Sequence, residues 1–214
     1  NVVVRVSEVI LLGSLPGPTC ENYPVTADCI ASDSGSHTIG SLRFASDGTI
    51  FVSTGDGASF TEVDALALRA QNIDSLAGKI LHIDKNGKGL PTNPFWNGDA
   101  DANRSKVWAY GFRNPFRFGL KPGSEIPFLG NVGWFEWEEI EAAGAGSNAG
   151  WPCWEGVHHQ SGYESFPECQ ALYTTANDTK PIYHYLHPPG AAIVGGGFYS
   201  GTSYPTEYQG AFFF

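Results

Sequence analysis

Methionine is missing from all 214 positions, the first included, so the native start of translation is expected to lie outside this chain. Basic side chains are scarce: 12 Lys and Arg stand against 22 Asp and Glu, a formal charge of -10. No basic stripe exists to neutralise phosphates, which argues against nucleic acid as a partner. No apolar run approaches the roughly 18 residues that a membrane-spanning helix needs. The start, Asn1-Val2-Val3-Val4-Arg5-Val6, reads as a strand rather than a secretion leader. Cys-x-x-Cys is absent, which disfavours a zinc ribbon or a thioredoxin-type site. Charged residues are only 16% of the chain and aromatics 14%, the composition of neither a disordered tail nor a coiled coil. The acidic balance is compatible with a neutral sugar or a cation as ligand and demonstrates neither.

What is present is punctuation. The 27 Gly and 14 Pro are spread along the whole chain, which suits many short strands joined by tight turns. The clearest unit is Ser41 to Ala45, the turn Ser46-Asp47-Gly48, then Thr49 to Ser53, an alternating hairpin with an Asp-Gly turn. Further strands are expected over 78–84, 107–111, 117–120 and 126–129, with 192–194 pairing 197–199. Only 62–75 has a helical look. The pattern predicts an all-β protein built as a sandwich, barrel or propeller. At roughly 40–50 residues per blade the length corresponds to about four blades. The segment from Trp134 to Tyr173 reads as an insertion. The four cysteines are expected to pair locally, Cys20 with Cys29 and Cys153 with Cys169, because short loops close most easily. Paired cysteines point to a secreted or periplasmic location. The two sequons, Asn103-Arg104-Ser105 and Asn177-Asp178-Thr179, fit secretion but arise easily by chance. The apolar ending Phe212-Phe213-Phe214 suggests a chain cut at both ends, which alone is expected to be inactive.

An ordered succession of motifs carries a more specific signal. It runs His37-Thr38-Ile39-Gly40-Ser41-Leu42, Phe51-Val52-Ser53-Thr54-Gly55-Asp56, Leu76 to Asp84 and Asn93-Pro94-Phe95. Val107-Trp108-Ala109-Tyr110-Gly111-Phe112-Arg113-Asn114-Pro115-Phe116-Arg117-Phe118 is the most distinctive stretch. Asn131-Val132-Gly133-Trp134, Trp137-Glu138-Glu139-Ile140 and Asn148-Ala149-Gly150-Trp151-Pro152 follow. In this order the chain resembles the soluble glucose/sorbosone dehydrogenases that depend on pyrroloquinoline quinone (PQQ). The resemblance implies a six-bladed β-propeller, of which this chain covers roughly four blades, with PQQ and calcium near the central axis. It also implies an aldose-type sugar substrate and an external electron acceptor.

His37 lies in a Ser/Gly-rich loop before a strand, where a side chain can reach a pocket mouth. The hairpin at Asp47-Gly48 folds Asp56 back beside it, and a carboxylate there can orient an imidazole acting as general base. The resemblance gives His37 the proton of the sugar's anomeric hydroxyl, with hydride passing to PQQ. The alternative is a loop histidine bonded to backbone. Arg113 and Asn114 are the candidate PQQ contacts, since a guanidinium fork suits carboxylates. The alternative is an arginine paired with an interior carboxylate to hold a turn; Arg117 reads as structural. The resemblance places backbone carbonyls of Gly133 and Trp134 on the calcium, with Asn131 where an Asp is common. Glu138-Glu139 is either a metal neighbour or a solvated pair. Asn97 to Asn103 spaces oxygens as calcium loops do but lacks the Gly and terminal Glu of an EF-hand. His158-His159 has no evident third ligand; Trp151, Trp154 and Tyr163 are core or a sugar platform. A competing reading is a non-catalytic extracellular propeller that binds a protein or carbohydrate partner, as hedgehog-interacting proteins do.

Overall fold

The computed structural model describes residues 8–15, 19–187 and 192–214. The expected strand at 1–6 lies outside the described residues. In chain order the elements are β1 (Ile39–Phe44), β2 (Ile50–Thr54), β3 (Lys79–Ile83), α1 (Asn103–Lys106), β4 (Val107–Tyr110), β5 (Pro115–Leu120), β6 (Pro127–Asn131) and β7 (Trp137–Ala142). They continue with β8 (Trp154–Glu155), β9 (His158–His159), α2 (Pro167–Thr175), β10 (Tyr183–Leu186), β11 (Gly197–Phe198) and β12 (Phe212–Phe213). The helical look of 62–75 is a 3-10 helix, Ala65–Gln71, capped by the Asp64 carboxylate on the Leu66 N–H.

Two four-stranded antiparallel sheets form, ordered β1-β2-β3-β4 and β10-β7-β6-β5, with β11-β12 as a two-stranded third. The first strands of successive sheets stand side by side. Arg117 on β5 donates to the Gly40 carbonyl on β1 at 2.7 Å, and a Cβ on Gly40 would lie 2.4 Å from the Pro115 carbonyl oxygen. That contact needs glycine. β2 and β3 are buried throughout because neighbours cover both faces. Phe51, Ile80 and Ala109 of the first sheet pack against Phe118 and Leu129 of the second. Ile50, Val52, Leu81 and Ile83 fill the opposite face with Leu11, Leu12 and Ile30. Serial meanders stacked face to face, inner strands adjacent, make the β-propeller architecture.

Several expectations change. The described residues give two four-stranded sheets and two two-stranded ones, β8-β9 and β11-β12, and long connections (55–78, 84–106, 143–182) use much of the length. The stretch beginning at Trp134 is not all insertion: Trp137–Ala142 is an interior strand between β6 and β10. The true excursion carries β8, β9 and α2, clasped by the Cys153–Cys169 disulfide; Cys20–Cys29 forms as well. Residues 192–194 do not pair with 197–199. Glu138 captures the N–H groups of Ala192 and Ile193, each at 2.8 Å, and β11 pairs with β12 instead. Tyr183 to Leu186 form β10, paired with β7.

Candidate functional site

His37 sits where the chain enters β1, and Asp56 sits just after β2. The backbone around them is unusually tight. His37 adopts φ 51°, a left-handed conformation uncommon for a residue with a Cβ. Its carbonyl lies where a Cβ on Gly55 would be, at 2.2 Å, so only glycine lets the two loops cross. Gly55 N–H donates to the Thr38 carbonyl at 2.6 Å and Gly57 N–H to the His37 carbonyl at 3.1 Å. The side chains then meet, His37 Nδ1 to Asp56 Oδ1 at 2.9 Å, with the carboxylate side chain 1% exposed and the imidazole 9%. Asp56 Oδ1 also accepts the Ala58 N–H at 3.1 Å, and Oδ2 accepts the Trp151 indole N–H at 2.7 Å. A carboxylate surrounded by donors acts only as acceptor, which puts the imidazole proton on Nδ1 and leaves Nε2 with its lone pair. The pairing expected from the hairpin is present.

Arg113 follows β4, and its carbonyl accepts the Asp56 N–H at 2.9 Å, which ties the two loops together. Its guanidinium is buried, and burial lowers its proton affinity against the pull of Asp56, Glu155 and Glu138. Nη1 donates to the carbonyls of Val132 (3.2 Å) and Gly133 (2.6 Å), and the group lies 5.5 Å from the Trp151 ring. Among the described residues no carboxylate pairs with Arg113 at ion-pair distance. The turn-holding ion pair is therefore not what forms. Asn131 Oδ1 accepts the N–H of Arg113 and Asn114 at 3.2 and 3.1 Å, while its Nδ2 donates to Glu139 at 2.6 Å. Only an amide performs both tasks, which explains Asn rather than Asp at this position.

Gly133 and Trp134 lie in the loop between β6 and β7. One oxygen of Glu155 accepts the N–H groups of Trp134, Phe135, Glu136 and Trp137 at 2.7, 2.9, 3.0 and 3.2 Å. Glu138 and Glu139 are neither solvated nor paired with each other. They point to opposite faces of β7, Glu138 anchoring His187 and the 192–193 backbone, Glu139 accepting from Asn131 and the Gly156 N–H. Asn97, Asp99 and Asp101 are exposed and engaged in local turns, Asp101 with Lys88, so that loop is a solvated turn. Among the described residues no three His, Cys, Asp or Glu side chains converge as a metal site. Arg117 bridges β5 to β1 and is structural, as expected. Trp134, Trp151 and Tyr163 form a core under the site.

Three contributors went unread in the sequence. Trp151 is 95 positions from Asp56, and no spacing rule connects them. Arg69 donates to the Asp56 carbonyl at 3.2 Å and pairs with Asp33 at 2.7 Å. Lys79, fully buried, donates to the carbonyls of Arg69, Ala70 and Ala77, and burial pulls its proton affinity well down. It fixes the segment from which Arg69 reaches. A concavity of about 620 Å³ lined by Leu66, Arg69, Asp74, Arg104 and Glu168 shares only Arg69 with this network.

The fold places the chain in the class of β-propellers, here with a buried His–Asp pair beside a buried arginine, and sequence comparison gives the family. The pattern of the Glucose / Sorbosone dehydrogenase family matches residues 22–214, and the chain belongs to that family. HIPL2 protein of Arabidopsis thaliana is 30% identical over 191 residues, covering 79% of this chain and 27% of that protein. Aldose sugar dehydrogenase YliI of Escherichia coli K12 is 28% identical over 178 residues, covering 83% and 44%. The apo-form crystal structure of the soluble aldose sugar dehydrogenase from Escherichia coli superposes with a TM-score of 0.63 at 25% identity, covering 86% of this chain and 48% of that one. The PQQ-bound aldose sugar dehydrogenase from Streptomyces coelicolor shares the fold, with a TM-score of 0.50 at 23% identity over 74% and 40%. The chain thus spans between 27% and 48% of the length of these relatives.

Proposed function

We propose that the full-length protein oxidises an aldose-type sugar at its anomeric carbon, with His37 as general base and PQQ as hydride acceptor. The observation that carries this reading is His37 held at 2.9 Å by a buried Asp56, with the buried Arg113 adjoining. In this scheme the Nε2 lone pair takes the anomeric hydroxyl proton, and Asp56 stabilises the imidazolium that results. PQQ with its calcium ion, when bound, supplies the two-electron acceptor and a Lewis acid on the carbonyl receiving hydride.

The residues fit an anionic cofactor. Arg113 is desolvated, has no carboxylate partner among the described residues and uses Nη1 on backbone carbonyls, which leaves the rest of the fork for an external carboxylate. Asn114 is half-buried next to it and supplies an amide. For calcium, Gly133 and Trp134 offer carbonyl oxygens of the kind that ion accepts. Their loop is held by its N–H groups on Glu155. The Gly133 carbonyl already faces one cation, the Arg113 guanidinium, at 2.6 Å. The two disulfides, and the lack of any helix long and apolar enough to cross a membrane among the described residues, fit a secreted or periplasmic protein that passes electrons to an external acceptor.

The test is reconstitution of the full-length protein with PQQ and calcium, followed by sugar-dependent reduction of an artificial acceptor. Activity is expected, and His37→Ala should lower kcat by roughly 10²–10⁴-fold. No dye reduction together with no PQQ binding would sink the proposal and favour a non-catalytic binding propeller, the reading that the match to HIPL2 keeps in view.

A further inference from the structure

The Trp151 indole touches both halves of the candidate site. Its N–H donates to Asp56 Oδ2 at 2.7 Å, and the Arg113 guanidinium lies 5.5 Å from its ring. Trp151 is itself buried, in edge contact with Trp134 and Tyr163, and its backbone N–H donates to the Gly111 carbonyl at 2.9 Å. It is rigidly placed.

Consider what Asp56 needs. Its side chain is 1% exposed, so water cannot satisfy the oxygen facing away from His37. Without the indole, Oδ2 would be a buried charged acceptor with no donor, the costliest kind of unmade hydrogen bond. The carboxylate would then turn about its χ2 axis to share Oδ1's donors, and His37 Nδ1 would lose its fixed acceptor. Once that acceptor swings, the imidazole proton can settle on either ring nitrogen. In the Nε2–H form His37 has no lone pair facing outward and cannot take a proton. The other charged or titratable groups facing Asp56 do not replace the indole. Arg69 is bonded to the Asp56 main-chain carbonyl and to Asp33, Arg113 makes no ion pair with the Asp56 carboxylate and lies over the Trp151 ring, and the Tyr163 hydroxyl is bonded to the Asp64 backbone.

We propose that Trp151 is a positioning residue: its indole N–H locks Asp56 in the orientation that keeps His37 in the Nδ1–H tautomer, while its ring seats Arg113. This rests on the reading of His37 as the base, and the test separates the two.

In the full-length protein, Trp151→Phe keeps a ring and deletes the N–H. The expected result is a fall in kcat of about tenfold or more, with sugar KM and PQQ affinity within about twofold of wild type. Nitrogen-15 NMR of the His37 ring should pass from a single Nδ1–H tautomer to a mixture. Trp151→Leu, which removes the ring too, should additionally weaken PQQ binding measured by fluorescence titration. If Trp151→Phe fails to fold, benzothienylalanine at position 151 keeps the bicyclic shape and replaces N–H by sulfur. Wild-type kcat and a single unchanged tautomer in the Phe or benzothienyl protein would overturn the proposal. If His37→Ala keeps full activity, the reading of the base fails instead, while the tautomer measurement still decides whether Trp151 positions Asp56.

Discussion

Changing Glu141 to Gln should stabilise the protein, by an amount that grows with pH. Trp137, Glu139 and Glu141 share one face of β7, and that face is covered. Glu141 is 2% exposed, and its Oε1 has no hydrogen-bond partner. Glu139 is likewise buried, but one of its oxygens accepts the Gly156 N–H and the other Asn131 Nδ2. Burial raises the proton affinity of both, Glu139 to about 8 with help from Glu155 and Glu138, and Glu141 further through the neighbouring Glu139 against the pull of Lys180. Both Glu139 oxygens already face donors, whereas Glu141 Oε1 faces none, so Glu141 is the group that gains most from holding a proton. The sign follows. Above the ordinary value of 4.5 the unfolded chain has released this proton and the folded protein has not. The stability it contributes is full below that value and is lost as pH rises toward the folded pKa. Between the unfolded and folded values each pH unit costs at most about 1.4 kcal/mol. Glutamine has nearly the same shape and no proton to hold, so the part of the slope that Glu141 contributes should disappear. The assay is denaturant unfolding of full-length wild type and Glu141→Gln at pH 5, 6, 7 and 8. The two should nearly coincide at pH 5 and separate progressively above it, with a limiting slope of about 1.4 kcal/mol per unit. Glu139→Gln should do the reverse, since its amide would turn a donor toward Gly156 N–H or Asn131. Parallel pH profiles for wild type and Glu141→Gln would refute the reasoning.

Two further outcomes follow from the loops. The Cys153–Cys169 bridge closes a 16-residue separation and clasps α2 to the segment that carries Trp151; replacing both cysteines by Ala should cost about 3 kcal/mol, read from denaturant midpoints under non-reducing conditions. In a host whose secretory pathway attaches N-linked glycans, Asn177 should be modified and Asn103 should not. Asn177 is exposed after α2, whereas Asn103 is 3% exposed and its Nδ2 donates to the carbonyls of Ala27 (2.8 Å) and Asp74 (3.0 Å). Peptide mass mapping before and after glycosidase decides it, and a glycan on Asn103 in folded protein would contradict it.

Alternating apolar residues around a turn signal made β1 to β6 legible, because their partners are local and their side chains obey the two-residue period. β7 was hidden by its composition. Trp-Glu-Glu-Ile-Glu-Ala carries three carboxylates, and a strand interior is the last place such a run is expected. Two of the carboxylates have a reason that only the third dimension supplies: Glu138 holds His187 and the N–H groups of Ala192 and Ile193, and Glu139 an amide and a backbone N–H. β11 was read with the wrong partner for a related cause. Glu138 had already taken the backbone donors of 192 and 193 that the expected pairing required.

The candidate base shows where sequence reasoning reached and where it stopped. A hairpin folded at Asp47-Gly48 does bring the ends of β1 and β2 together, and that much follows from the turn. Along most of the ladder Leu42 faces Val52 and Phe44 faces Ile50, but Ile39 faces Thr54, a register shift of one residue. Continued without that irregularity, the ladder would set Gly57 opposite His37; with it, Asp56 takes the place. A one-residue slip exchanges which side chain faces the pocket, and such irregularities re-aim side chains next to functional sites. Nothing in Ser41 or Gly40 announces the shift. The close approach of Gly40 to the Pro115 carbonyl, which excludes a side chain there, accompanies it from the neighbouring sheet. The second sheet also leads to the loop that positions Arg113, and the excursion beyond it brings Trp151 back onto Asp56. The His–Asp pair is thus local in sequence, but its alignment is a property of two sheets and a distant loop.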